Sequence, residues 1–119
     1  MDDLLNNEPV RRAQKALKRF ENSIKVMVLE KTARTAQDAS LALGCDVGAI
    51  VKSLLFRAEN SFILCLVSGD KKCSLNKLKK ITQKNDLCMA SPEQVKTQTG
   101  YTIGGVSPVG LLNLSLIHI

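Results

Sequence analysis

Aromatic residues are scarce in this chain: there is no Trp, one Tyr and three Phe among 119 residues, 3% of the total. That argues against a platform on which successive single-stranded bases stack, since such sites need a row of exposed rings. Histidine is scarcer still. The only one, His118, is the penultimate residue, so the residues before it can assemble neither a Ser/His/Asp or Cys/His system nor a histidine-containing zinc site. The four cysteines, Cys45, Cys65, Cys73 and Cys88, form no C-x-x-C pair. Cys45 and Cys65 sit in apolar segments and read as reduced core residues. No apolar run approaches the roughly 20 residues needed to span a bilayer. The acidic, polar stretch Met1–Asn7 lacks a signal-peptide core. A cytoplasmic protein without a membrane partner is expected, and neither repeats nor low-complexity segments interrupt it.

What is present suits one domain, long enough for a core without disulfides or a structural metal. Lysine and arginine number 17 against 11 acids, a net charge of +6 that favours a polyanionic partner. The basic residues fall in two groups. Arg11, Arg12, Lys15, Lys18 and Arg19 lie on a first predicted helix; Lys71, Lys72, Lys77, Lys79, Lys80 and Lys84 span a later helix and its approaches. Solvated helix faces and a phosphate-contacting surface explain such groups equally well on charge alone.

Asn7 and Pro9 start that first helix, with Val10, Ala13, Leu17 and Phe20 as its apolar stripe. The β-branched run Ile24–Leu29 predicts a strand. Thr35 and Asp38 make a Thr-x-x-Asp cap for an alanine-rich helix ending at Gly44. Ile50–Phe56 and Phe62–Val67 read as a hairpin, closed by Ser68-Gly69-Asp70. Ser74 caps a helix with Leu75, Leu78 and Ile81 inward, and Leu87–Ala90 is a brief strand. Ser91-Pro92-Glu93-Gln94 is the best-formed helix start of the chain, with Gly100 as the stop.

Two features carry chemistry. From Gly100 to Gly110 runs Gly-Tyr-Thr-Ile-Gly-Gly-Val-Ser-Pro-Val-Gly, a loop whose glycines admit positive φ and close approach of a ligand. Such a loop can aim several N–H groups at one anion or oxyanion, although glycine and proline also mark ordinary turns. Lys52 lies among Ile50, Val51, Leu54, Leu55 and Phe56. It must either snorkel from a strand end or sit partly desolvated in a pocket.

The stretches Thr32-Ala33-Arg34-Thr35 with Ala36–Gly44, Ile50-Val51-Lys52-Ser53-Leu54-Leu55-Phe56, Val67-Ser68-Gly69-Asp70 and Gly104-Gly105-Val106-Ser107-Pro108-Val109-Gly110 follow one another in order. In this the chain resembles the YbaK and prolyl-tRNA-synthetase-associated editing domains, over most of Ile24–Gly110. The resemblance implies an α/β (α+β) fold with a mixed, curved, barrel-like sheet surrounded by helices. It also implies trans-editing: hydrolysis, without metal or other cofactor, of the ester joining a small noncognate amino acid to proline tRNA. By the same resemblance Lys52 is the catalytic lysine. Gly104, Gly105, Val106, Ser107, Pro108 and Gly110, with Thr32, bind the substrate. Arg11, Arg12, Lys71, Lys72, Lys79 and Lys80 are the candidate tRNA contacts, mischarged tRNA and a synthetase the expected partners, and DNA is not one.

The residue chemistry agrees. An aminoacyl ester is activated, so a positioned water suffices, with Lys52 fixing the substrate and N–H groups near Gly104, Gly105 and Ser107 facing the developing oxyanion. Ser107 is disfavoured as a nucleophile because no base accompanies it. Two departures from the family stand out. Its members continue beyond this loop, and alanine-specific members carry Lys-Asn where this chain has Lys52-Ser53. Leu114–Ile119 also equals the translation of a transposase adapter used in library preparation, so the domain is expected to occupy 1–113, C-terminally incomplete, with 114–119 an artefact. A non-catalytic tRNA- or synthetase-binding module is the alternative function, and a nonfunctional truncated fragment the third.

Overall fold

The computed structural model describes residues 2–29, 33–113 and 117–118. Its centre is a hairpin. Strands β1 (Val51–Ala58) and β2 (Ser61–Ser68) pair antiparallel from Val51↔Ser68 to Ala58↔Ser61, leaving Glu59 and Asn60 as the turn. Glu59 takes φ 56° there, and its N–H is anchored on the Asp86 carbonyl at 2.8 Å. Strand β3 (Leu87–Met89) adds antiparallel to β1, and β4 (Ile117–His118) adds parallel to β2, giving the order β3-β1-β2-β4. The sheet is open, not barrel-like as the resemblance led us to expect. Its edge strands, of three and two residues, do not meet.

Side chains alternate across a strand, so the hairpin feeds two cores. Phe56, Ala58, Ile63 and Cys65 pack with Leu87 and with Leu78 of helix α3 (Leu75–Thr82) on one face. Leu55 and Leu64 pack with Ala90 and with Val95 of helix α4 (Pro92–Thr99) on the other, joined by Phe62, Val106 and Leu111. Helix α3 buries only Leu78. Leu75 and Ile81 are exposed, Ile81 by 66%, because at about 100° per residue they diverge to either side of Leu78 on a two-turn helix.

The caps at Thr35, Ser74 and Ser91 form as the sequence predicts, whereas the Asn7 side chain makes no cap hydrogen bond on the first helix. Thr35 accepts the Asp38 N–H at the start of helix α2 (Ala36–Leu43), and Gly44 ends it at φ 69°. Ser91 and Gln94 form a reciprocal capping box on α4, ended by Gly100 at φ 80°. Helix α1 (Glu8–Phe20) turns the expected stripe inward only in part, with Val10, Ala13 and Leu17 half-buried. It buries no side chain fully, and Phe20, at its last position, is 79% exposed. Ile24–Leu29 is extended but is no strand. Its period-2 pattern is present, with Ile24, Val26 and Val28 half-buried between exposed Lys25 and Met27. Its polar backbone, however, pairs with a side chain instead of a neighbouring strand: Gln14 donates to the Ile24 carbonyl (2.9 Å) and accepts the Val26 N–H (2.5 Å).

Gly69 is a point of close approach. Its N–H donates to the Ile50 carbonyl at 2.6 Å, and a Cβ there would fall on the Val47 carbonyl oxygen, 3.0 Å from Ala36 Cβ and 3.2 Å from Ile50 Cβ. Gly69→Ala is expected to cost about 1 to 2 kcal/mol by overpacking. Urea unfolding measures that loss.

Cys65 is buried, as the sequence implies, but Cys45 is exposed in the turn after Gly44. Burial, reinforced by the adjacent Cys73, pushes the Cys65 thiol up to about 11. In the native protein at neutral pH Cys45 should therefore alkylate readily and Cys65 slowly. Timed iodoacetamide labelling with peptide mass analysis checks the order.

Candidate active site

The start of α2, the 3₁₀ turn Val47–Ala49, the first half of β1 and the 103–106 segment enclose a cavity of about 910 Å³. This lies in the range of small-ligand sites. Lys52, Gly104, Gly105 and Val106 all line it, together with Arg34, Thr35, Ser53 and Gly69. Its charged lining residues are Arg34 and Lys52; no carboxylate or histidine joins them among the described residues.

Lys52 is half-buried, and its Nζ donates to the Lys71 carbonyl oxygen at 2.6 Å. Strand alternation puts Lys52 with Leu54 and Phe56 on the face covered by α3, and Ser53 with Leu55 on the face covered by Val106. Lys52 and the Gly104–Val106 turn both line the cavity, but from opposite faces of the sheet, and the Lys52 ammonium is held against the segment entering α3. Ser53 Oγ is buried without a hydrogen-bond partner among the described residues. Other lining hydroxyls are occupied: Thr35 caps α2, and Ser40 donates to the Gln37 carbonyl at 2.7 Å.

The Gly-rich loop divides into two halves. Gly104, at φ 83°, occupies a turn in which the Gly105 N–H donates to the Thr102 carbonyl at 2.9 Å. Gly105 is therefore a wall residue whose N–H is already used, which removes it from the expected oxyanion donors. No hydrogen bond occupies the N–H of Gly104 or Val106 among the described residues. Ser107 shapes the bend around Pro108 by accepting the Val109 N–H at 3.2 Å. Pro108 and Gly110 are not among the residues that line this cavity. They line a separate depression of about 690 Å³ with Lys15, Arg19 and Phe20 of α1. Thr32 lies outside the described residues.

The tRNA candidates also separate. Arg11, Lys71, Lys72 and Lys80 are exposed and Lys79 is half-buried. Arg57, through a two-pronged hydrogen bond at 3.1 and 3.2 Å, and after it Lys79 hold the Asp86 carboxyl below its ordinary range. Arg12 is half-buried. Its Nε donates to the Gly110 carbonyl (2.7 Å), Nη2 to the Gly100 carbonyl (2.9 Å), and Nη1 to Glu8 (2.7 Å), while its guanidinium lies 4.6 Å from the centre of the Tyr101 ring. These donors are engaged within the chain, so Arg12 acts as a clamp on the loop. Tyr101 completes the clamp, its hydroxyl 2.8 Å from the Val109 carbonyl and 3.1 Å from that of Gly110. Sequence reasoning missed this pair. The one available signal was a lone tyrosine immediately after a helix-stopping glycine.

Beside a sheet covered on both faces lies an apolar cavity lined by Arg34 and Lys52 and by loop N–H groups that are unpaired among the described residues. The chain belongs to the aminoacyl-tRNA editing domain family, whose model matches residues 30–118. Among relatives, it is 33% identical over 84 residues to the proline–tRNA ligase of Thermosipho melanesiensis, covering 71% of this chain and 15% of the ligase. It is 39% identical over 79 residues to that of Nitratidesulfovibrio vulgaris, covering 66% and 14%. The chain thus spans about a seventh of the length of these ligases. A crystal structure of a candidate trans-editing enzyme for prolyl tRNA synthetase superposes with a TM-score of 0.85 at 39% identity, covering 94% of this chain and 72% of that one. No helix among the described residues is long and apolar enough to cross a membrane.

Proposed function

We propose that this chain is a trans-editing deacylase that hydrolyses the ester of mischarged tRNA, a small noncognate amino acid on proline tRNA being the substrate. The observation that carries this reading is that Lys52, Gly104 and Val106 line one cavity, in a chain of the editing family. Water attacks the ester carbonyl carbon, and the carbonyl oxygen gathers negative charge. Lys52 exchanges the Lys71 carbonyl for the substrate and fixes it by charge and hydrogen bonds, while the Gly104 and Val106 N–H groups stabilise the oxyanion. The ester is reactive enough for this to proceed without a metal. Arg11, Lys71, Lys72, Lys79 and Lys80 contact tRNA phosphates. A synthetase is a further partner, and the cytoplasm, where tRNA is charged, is the place of action.

A panel of proline tRNA charged with cysteine, alanine, serine or threonine tests the reading. Release of one amino acid well above the spontaneous rate is the expected result; spontaneous rates throughout would refute it. One observation favours a second reading, a non-catalytic tRNA- or synthetase-binding module: the Lys52 ammonium and the Gly105 N–H are both engaged within the chain. Tight, salt-sensitive tRNA binding without hydrolysis would select that module.

A further inference from the structure

The sulfurs of Cys65 and Cys73 stand 3.9 Å apart on the α3 side of the sheet. Cys65 is a core residue of β2, 8% exposed and held in the ladder opposite Leu54. Cys73 is half-buried in the segment joining β2 to α3. Neither thiol lines the cavity. A disulfide needs a sulfur–sulfur distance of about 2.05 Å, and Cys73, outside the ladder, is the partner able to move. Two residues before it, the Lys71 carbonyl holds the Lys52 ammonium.

We propose that Cys65 and Cys73 form a reversible redox site, oxidised to a disulfide by hydrogen peroxide, and that closing it shifts the Lys71 carbonyl that holds Lys52. The more accessible Cys73 sulfur attacks a peroxide oxygen; the O–O bond breaks, water leaves and Cys73 becomes a sulfenic acid. The Cys65 sulfur then attacks the Cys73 sulfur, the S–O bond breaks, a second water leaves and the S–S bond forms. Together the two thiols give up two electrons and two protons, which reduce one peroxide to two waters. Contact in the folded protein supplies the second step by proximity. Cys45 and Cys88 lie elsewhere, Cys45 exposed and the Cys88 sulfur 3.2 Å from Arg57 Nη2.

The test treats the full chain with peroxide, alkylates the remaining thiols and digests without reduction. A Cys65–Cys73 linked peptide that disappears with dithiothreitol is expected, with Cys45 and Cys88 alkylated. Cys65→Ser should leave Cys73 as a sulfenic acid trapped by dimedone. Both thiols still alkylated after peroxide, or bridges to Cys45 or Cys88 instead, would overturn the site. The link to Lys52 rests on the proposed deacylase reading. It predicts that the bridged protein releases amino acid about tenfold more slowly or worse, with recovery on reduction. An unchanged rate in bridged protein overturns the link. Absence of activity in reduced protein overturns the deacylase reading and leaves the peptide result standing.

Discussion

Lys52→Ala is expected to slow amino acid release by at least about 10²-fold, the usual cost of losing one group that stabilises charge in the transition state. The fold should survive the change. Lys52 is half-buried and spends its ammonium on one backbone carbonyl at 2.6 Å, so its removal costs about 1 to 3 kcal/mol of stability for a charged hydrogen bond. Lys52→Arg keeps the charge but substitutes a planar fork for a compact ammonium, and should restore stability more than rate. Single-turnover hydrolysis beside thermal unfolding separates the two effects. Undiminished hydrolysis by folded Lys52→Ala would defeat the assignment of Lys52.

Arg12→Ala is expected to destabilise the protein by about 3 kcal/mol, because it removes several charged hydrogen bonds and a cation–π interaction at once. Arg12 is 19% exposed at its side chain, so solvent replaces these interactions only in part. Without it the Gly100 carbonyl is deprived of its arginine donor, and the Gly110 carbonyl retains Tyr101 alone. Both ends of the loop that carries Gly104 and Val106 are released together, so hydrolysis should fall with stability. Neighbouring Arg11 is the control. It is exposed, and Arg11→Ala should leave stability within about 0.5 kcal/mol while lowering tRNA affinity and its dependence on salt. Urea denaturation of the two variants reads the contrast. Equal stability of the two would remove the clamp.

The clamp also marks what the sequence could and could not convey. Local signals were legible because their physics is local: Thr35 with Asp38, Ser91 with Gln94, and the glycines at 44 and 100 each announce a helix end that forms as read. The hairpin was legible from two apolar runs and a polar interval, although the strands extend further and leave only Glu59 and Asn60 in the turn. Ile24–Leu29 failed as a strand because alternation specifies an extended segment and not its partner, and here the partner is Gln14. The Arg12 clamp was illegible for the same reason. Nothing near it in sequence reveals that carbonyls 88 and 98 residues away will take its donors. At the site, Lys52 and the Gly104–Val106 turn were legible through family resemblance. The division of the loop was not: Pro108 and Gly110 lie beside α1, past a bend that Ser107 holds by accepting the Val109 N–H.

The most direct measurement is the hydrolysis of mischarged proline tRNA by the reduced chain at limiting substrate, beside correctly charged prolyl-tRNA and a protein-free control. The mischarged ester should be cleaved at least about 10²-fold faster than spontaneously while prolyl-tRNA is spared. Mischarged tRNA that binds but decays at the spontaneous rate would contradict it.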